Sequence, residues 1–135
     1  ATKAGRMAVL ICADSWYPQA YANITNKADF VVVPSLGGKD SVWSAAWQGY
    51  NGSKAPADVD TTDYKKITEG DAWLKYSMGK RAVQANIHYG MNVFFTGSLW
   101  DMQPQGRVLL LQNDSMTVLP PAVGKGRIVC LWLNK

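Results

Sequence analysis

An uninterrupted apolar run from Met7 to Cys12 is the feature that most restricts the fold of this chain. A strand with one solvated face alternates apolar and polar residues, whereas a continuous run is typical of a strand covered on both faces, as in parallel sheets. The run stops at Ala13-Asp14-Ser15, and Pro18 then suits the first turn of a helix. A second apolar run, Phe30 to Val33, ends at Pro34. The order strand, helix, strand predicts a βαβ unit.

The second half of the chain predicts one further helix and then several strands. Thr68 and Asp71 form a capping pattern, an apolar stripe follows at helical spacing, and Gly90 is a natural terminator. The stripe consists of Ala72, Tyr76, Gly79, Val83 and Ile87. Strand-like runs follow at Met91–Phe95, Arg107–Leu111, Thr117–Leu119 and Ile128–Leu133, with a turn at Pro104-Gln105-Gly106. We therefore expect one α/β domain over residues 1–135 that opens with a βαβ unit and ends in a more antiparallel sheet.

Residues 35–67 predict a long irregular segment between these two parts. Glycines, Pro56 and several aspartates interrupt any periodic pattern there. A loop of this length in a compact domain is usually functional or disordered. It carries Trp43, Trp47 and Tyr50, which are candidate pocket walls, although a loop that packs its aromatic side chains beneath itself is equally expected.

Composition excludes several classes of function. The 14 basic residues, set against 10 acidic ones, are scattered and not concentrated on one face, which argues against nucleic-acid binding. No apolar run approaches the roughly 20 residues of a membrane span, and no secretory signal opens the sequence, although the compartment stays open. Two cysteines and one histidine cannot form a typical four-ligand zinc site, so we expect neither a metal nor a cofactor.

The remaining chemistry-bearing residues have structural interpretations. Cys130 lies within an apolar run and is predicted to be a buried core thiol. A disulfide between Cys12 and Cys130 stays open, because pairing depends on geometry. His88 is interpreted as a structural or surface histidine, because no pattern brings it near Cys12.

Cys12 is the candidate nucleophile because of its position. It closes a buried strand and precedes a tight turn into a helix, whose partial positive charge favours the thiolate. Backbone N–H groups from Ala13 onward can bind an oxyanion. Asp14 is expected to support the turn, or to be a plain cap, and Trp16 and Tyr17 are expected to wall a pocket, or to belong to the core. The alternative for Cys12 itself is a small buried hydrophobic residue.

Four segments, in order along the chain, resemble one enzyme family. Residues 5–18 form a glycine-led apolar strand ending in Ile-Cys, then any residue, an acid, two residues, an aromatic and proline. Residues 28–35 have Ala-Asp, an apolar run and proline, and Arg81-Ala82-Val83-Gln84 follows later. The last segment is Thr96-Gly97-Ser98 with the Pro-Gln-Gly-Arg-Val-Leu of residues 104–109. Together they resemble the nitrilase superfamily of carbon–nitrogen hydrolases, with Gln84 replacing the family's acid and the Gly–Ser spacing one residue short.

The resemblance implies half of an α-β-β-α sandwich that hydrolyses a small amide or nitrile through a thioester on Cys12. The family's triad is Glu, Lys and Cys, and only the cysteine has a counterpart here. The other two precede it in the family, whereas Glu69 follows Cys12, so we expect that this chain lacks the N-terminal half and is inactive alone. The expected partners are that missing half or a second copy of the chain.

Two other functions stay open. Some relatives are acyltransferases attached to membrane segments. The element Thr96-Gly97-Ser98 resembles the corresponding element of those acyltransferases. The chain is alternatively a non-catalytic binding or assembly module, which the replacement at Gln84 and the absent base favour. In every case half a sandwich leaves apolar surface uncovered, so we expect the chain to dimerise, to pair with its other half or to aggregate.

Overall fold

One open sheet organises the chain, whose computed structural model describes residues 2–98, 100, 107–122, 124 and 126–133. Within these residues the sheet has five strands in the order β1-β2-β3-β4-β5. They are β1 Met7–Val9, β2 Phe30–Ser35, β3 Tyr89–Phe94, β4 Val108–Gln112 and β5 Ser115–Leu119. Strands β1, β2 and β3 pair in parallel, and β4 and β5 continue the sheet antiparallel. The prediction of an α/β chain with a parallel start and a more antiparallel end is confirmed.

Short helices cover one face of this sheet. They are α1 Pro18–Tyr21, α2 Asp40–Trp43, α3 Glu69–Tyr76 and α4 Met78–Gln84, and two 3-10 turns lie at Cys12–Trp16 and Thr61–Asp63. Val31 and Val33 of β2 are fully buried against Tyr21 of α1 and Met78 and Ala82 of α4. The core therefore lies between the sheet and the helices.

The opposite face of the sheet is uncovered. Met7 and Val9 of β1 are 47% and 51% exposed, and Val93 of β3 is 41% exposed. Their neighbours Ala8 and Phe94, which point to the helical side, are buried. This alternation leaves a row of apolar side chains on what we call the open face, defined by Met7, Val9 and Val93.

The single helix predicted from Thr68 towards Gly90 is wrong, because the chain breaks at Ser77. The capping pattern itself is present, since Thr68 Oγ1 accepts the Asp71 N–H at 3.1 Å and an Asp71 carboxylate oxygen accepts the Thr68 N–H at 3.0 Å. Ser77 leaves helical geometry with ψ −143° and its hydroxyl donates to the carbonyl of Trp73. Gly90 lies within β3, where a Cβ would come within 2.8 Å of Val31 Cγ1.

The end predicted for β2 is also wrong, because the strand continues through Pro34 to Ser35. The Val32 carbonyl accepts the Leu10 N–H, so the backbone of Val32, and of Pro34 two residues later, faces β1. The ladder of β1 ends at Val9, opposite Val32. The missing N–H of Pro34 therefore leaves no ladder acceptor unpaired.

The strand predicted at Ile128–Leu133 is wrong, since these residues form no ladder with any part of the sheet that the structure describes. Ile128 is 94% exposed, and Cys130, predicted to be a buried thiol, is exposed. An apolar run is ambiguous alone, because it becomes a strand only where a neighbouring edge accepts it. The turn predicted at Pro104-Gln105-Gly106 lies outside the described residues. None of the helices in the described ranges has the length and apolar content needed to cross a bilayer.

Candidate functional site

Cys12 lies on a strained turn beyond β1. The prediction that it closes a buried strand is wrong, because β1 ends at Val9 and its Met7 and Val9 side chains are about half exposed. Cys12 begins the 3-10 turn Cys12–Trp16 and has φ 45°. Positive φ is uncommon for residues other than glycine, and such strain is often held at functional sites. The Cys12 thiol lies 3.9 Å from the carbonyl of Leu36, which follows β2. In open parallel sheets, the crevice beyond the carboxyl ends of neighbouring strands is where ligands bind.

Three hydrogen bonds hold this turn in place. The Asp14 carboxylate accepts the Ile11 N–H at 3.2 Å, and the Ser15 hydroxyl, fully buried, donates to the Cys12 carbonyl at 2.7 Å. Arg81 Nε donates to the Trp16 carbonyl at 3.0 Å. These bonds fix the backbone around the thiol, so the strained φ of Cys12 is imposed by its surroundings.

The residue after Cys12, Ala13, has a backbone N–H that is not used in a hydrogen bond within the described residues. Ala13 is exposed. The helix predicted to begin near Pro18 is α1, which has only four residues. It begins after the 3-10 turn, so Cys12 does not lie at its first residue. So short a helix contributes little macrodipole, and the free N–H is the polar feature of the turn that remains.

Cys12 opens onto a cavity of about 360 Å³, which we call the Cys12 cleft. The residues predicted from sequence that line it are Cys12, Ala13, Trp16, Tyr17, Trp47 and Tyr50. The other lining residues are Leu36, Gly49, Asn51, Ser53, Glu69 and Trp73. Trp43 lines a smaller neighbouring cavity, in contact with Phe94. Asp14 faces a separate groove beside Lys54.

The walls of the Cys12 cleft are a network of aromatic rings. The ring centroid of Trp16 lies 6.0 Å from that of Trp47, 5.7 Å from that of Tyr50 and 4.7 Å from that of Trp73. Trp47 is 1% exposed and Tyr50 is 9% exposed, so the loop over residues 35–67 packs its aromatic side chains beneath itself while forming a pocket wall. Trp47 and Tyr50 are therefore both buried beneath the loop and part of the lining of the cleft.

Glu69 is the acidic residue of the Cys12 cleft, and its position could not be predicted from its order in the chain. The loop carbonyl of Ala45 accepts the Glu69 N–H at 2.8 Å, and the Trp47 N–H donates to the Ile67 carbonyl at 2.9 Å. This pairing brings the start of α3 against the loop. Burial raises the pKa of the Glu69 carboxyl, and a hydrogen bond with Trp73 opposes that rise.

Arg81 joins the long loop to the turn Cys12–Trp16. Its Nη1 lies 2.6 Å from an Asp58 carboxylate oxygen and 3.0 Å from Gln84 Oε1, and the Arg81 side chain is fully buried. The hydrogen bond from Arg81, with further ones from Lys80 and Gln84, holds the pKa of Asp58 well below its usual range. Asp58 thus supplies a carboxylate to Arg81 from the loop, while Gln84 bonds both partners.

His88 and Cys130 lie outside the lining of the Cys12 cleft. His88 is exposed, with Nδ1 2.7 Å from Asp114 Oδ1 and Nε2 3.0 Å from Asn86 Oδ1, as a surface interpretation of His88 expects. Cys12 and Cys130 are both free thiols.

No protein-family model matches the sequence. No curated protein matches it either. Residue types and the geometry of the Cys12 cleft therefore carry the functional inference.

Proposed function

We propose that this chain carries the nucleophile of a carbon–nitrogen hydrolase of the nitrilase type, with Cys12 attacking the carbon of a small amide or nitrile. The observation that carries the proposal is a cysteine held at positive φ, beyond the carboxyl end of a parallel strand, opening onto an aromatic cleft. A free N–H at Ala13 lies on the same turn. A merely structural cysteine needs none of these features.

For an amide, the glutamate of the complete enzyme takes the Cys12 thiol proton and becomes the general acid of the next step. The thiolate bonds to the carbonyl carbon and the C=O electron pair moves to oxygen, where the Ala13 N–H stabilises the negative charge. Collapse of this intermediate breaks the C–N bond, and the amine leaves with a proton from the general acid. Water then loses a proton to the same group and attacks the thioester. The carboxylic acid is released and the thiol is restored.

The base and the lysine of the family have no counterpart in this sequence. We propose that they come from a segment that precedes the cysteine in the complete sandwich, or from a second polypeptide. The open face, with Met7, Val9 and Val93, is where a second sheet would pack to complete the α-β-β-α arrangement.

The rival function is a binding or assembly module that keeps this fold without catalysis. The absent base and lysine favour it. The replacement at Gln84 favours it less than the sequence suggested, because Asp58 supplies a carboxylate to Arg81. An amide-forming acyltransferase would use the same thioester with a different acceptor.

Native mass spectrometry of the purified material, repeated under denaturing conditions, tests the proposal. We expect a companion polypeptide that contributes a glutamate and a lysine, and a complex that releases ammonia from simple primary amides. Cys12→Ala should abolish this release while Cys130→Ala, at the exposed cysteine, should not. A chain found without a companion, with a Cys12 that resists alkylation in the folded state, would favour the binding module.

A further inference from the structure

The Cys12 cleft combines one carboxyl group with aromatic walls. Trp16, Trp47, Tyr50 and Trp73 line the cavity together with Glu69. Aromatic rings attract cations through the negative charge on their faces, and a desolvated carboxylate adds a full opposite charge. Neutral apolar ligands need the rings but not the carboxylate.

Glu69 lacks a charged partner within the described part of the chain. No lysine or arginine there lies within ion-pair distance of its carboxyl. Burial raises the pKa of Glu69, because a partly desolvated carboxylate is harder to ionise than one in water. A bound positive charge would reverse this and stabilise the carboxylate.

The position of Glu69 is fixed by the backbone. Its N–H donates to the Ala45 carbonyl at 2.8 Å, and Thr68, the residue before it, caps α3 through the Asp71 N–H. These bonds fix the backbone of Glu69, and its partly buried side chain lines the cleft together with Cys12.

We infer that the Cys12 cleft selects substrates carrying an alkylammonium group, with Glu69 as the counter-ion and the surrounding rings as the walls that receive the cation. The inference rests on the proposed function, since it names the class of amide that Cys12 attacks. Glu69 is a specificity-determining residue in this account, not the general base.

Paired methanethiosulfonate reagents on the full chain test this inference. The cationic reagent carries a trimethylammonium-ethyl group and the anionic one a sulfonato-ethyl group, and in both the thiolate displaces methanesulfinate to form a mixed disulfide. Peptide mass spectrometry follows Cys12 and Cys130 in the same sample, and the exposed Cys130 is the internal reference. We expect the cationic-to-anionic rate ratio to be on the order of tenfold higher at Cys12 than at Cys130.

The variant Glu69→Gln should bring the ratio at Cys12 close to that at Cys130. Asp114→Asn, which removes a carboxylate outside the cleft with the same change in net charge, should leave it high. A Cys12 that reacts quickly with both reagents and ignores Glu69→Gln would overturn the cation inference while leaving the nucleophile intact. A Cys12 that reacts with neither reagent in the folded chain would overturn both proposals.

Discussion

Cys12 has φ 45°. This backbone conformation is energetically unfavourable for a residue that has a Cβ atom. Glycine has no such cost at positive φ, so Cys12→Gly should be more stable than Cys12→Ala by about 1 kcal/mol. Chemical denaturation of the two variants measures the difference. Ala13→Gly is the matched control and should be destabilised, because Ala13 is not at positive φ. Equal stability of the two Cys12 variants would mean that the turn is not strained.

Asp58 contributes stability that depends on pH. The pKa of Asp58 is lowered in the folded chain by the hydrogen bond from Arg81, so its contribution is fully present above the unfolded value of about 4 and is lost as pH falls below it. Asp58→Asn should cost about 1–2 kcal/mol near neutral pH, because the buried Arg81 loses its charged partner.

Thermal unfolding followed by circular dichroism over a series of acidic pH values checks this dependence. The gap between the wild-type chain and Asp58→Asn should narrow as pH falls below about 4. Asp114→Asn is the control for loss of one carboxylate. A gap that stays constant with pH would show that the ion pair with Arg81 does not stabilise the fold.

The residues of the site differ in how far sequence could reveal them. Cys12, Ala13, Trp16 and Tyr17 are neighbours in the chain, so one strand end and one turn were enough to group them. Glu69 enters the cleft through pairing between the loop and the start of α3, and no local pattern encodes that pairing.

At the scale of elements, the capping box of α3 fixes where that helix begins and so where Glu69 stands. Thr68→Ala removes the side-chain acceptor of the Asp71 N–H and should cost about 1 kcal/mol. Denaturant titration against Thr61→Ala, an exposed threonine in a 3-10 turn, isolates the cap. If both variants lose the same stability, the cap does not hold α3.

The elements that sequence predicted well are those whose signals are local. The capping pattern at Thr68 and the apolar runs of β1 and β2 gave the right element types. The helix after Thr68 breaks at Ser77 although the apolar stripe continues, because helical spacing does not report a serine that bonds the preceding turn. The run at Ile128–Leu133 has strand composition but pairs with no strand in the described ranges of the chain.

At the scale of the whole molecule, the open face should drive association. Its apolar side chains, including Met7, Val9 and Val93, are partly exposed although the helices bury the opposite face. We expect light scattering at about 50 micromolar, above typical weak association, to show dimers or larger species. A clean monomer at that concentration would contradict this expectation.

Paired substitutions locate the surface responsible. Val93→Lys places a charge on the open face and should weaken association roughly tenfold or more, because burying an unpaired charge is costly. Val83→Lys adds the same charge on α4, where Val83 is 37% exposed on the helical side, and should leave association unchanged. Sedimentation velocity compares the two. Equal effects would place the interface elsewhere.

The sequence predicted the α/β class of the sheet, but it did not predict that one face of the sheet is uncovered. The continuous apolar runs of β1 and β2 predicted parallel pairing, and these two strands pair in parallel. The uncovered face could not be derived from composition, because apolar strands have the same composition whether a second layer covers them or not.

Acylation of Cys12 tests the central claim most directly. The folded chain is treated with an activated acetyl ester, which needs no added base or lysine, and peptide mass spectrometry locates the acetyl group. The account predicts a hydroxylamine-sensitive thioester on Cys12 that forms faster than any on the exposed Cys130 and is absent in Cys12→Ala. Acetylation confined to Cys130 and surface lysines would contradict it, and Cys12 would then not be a nucleophile.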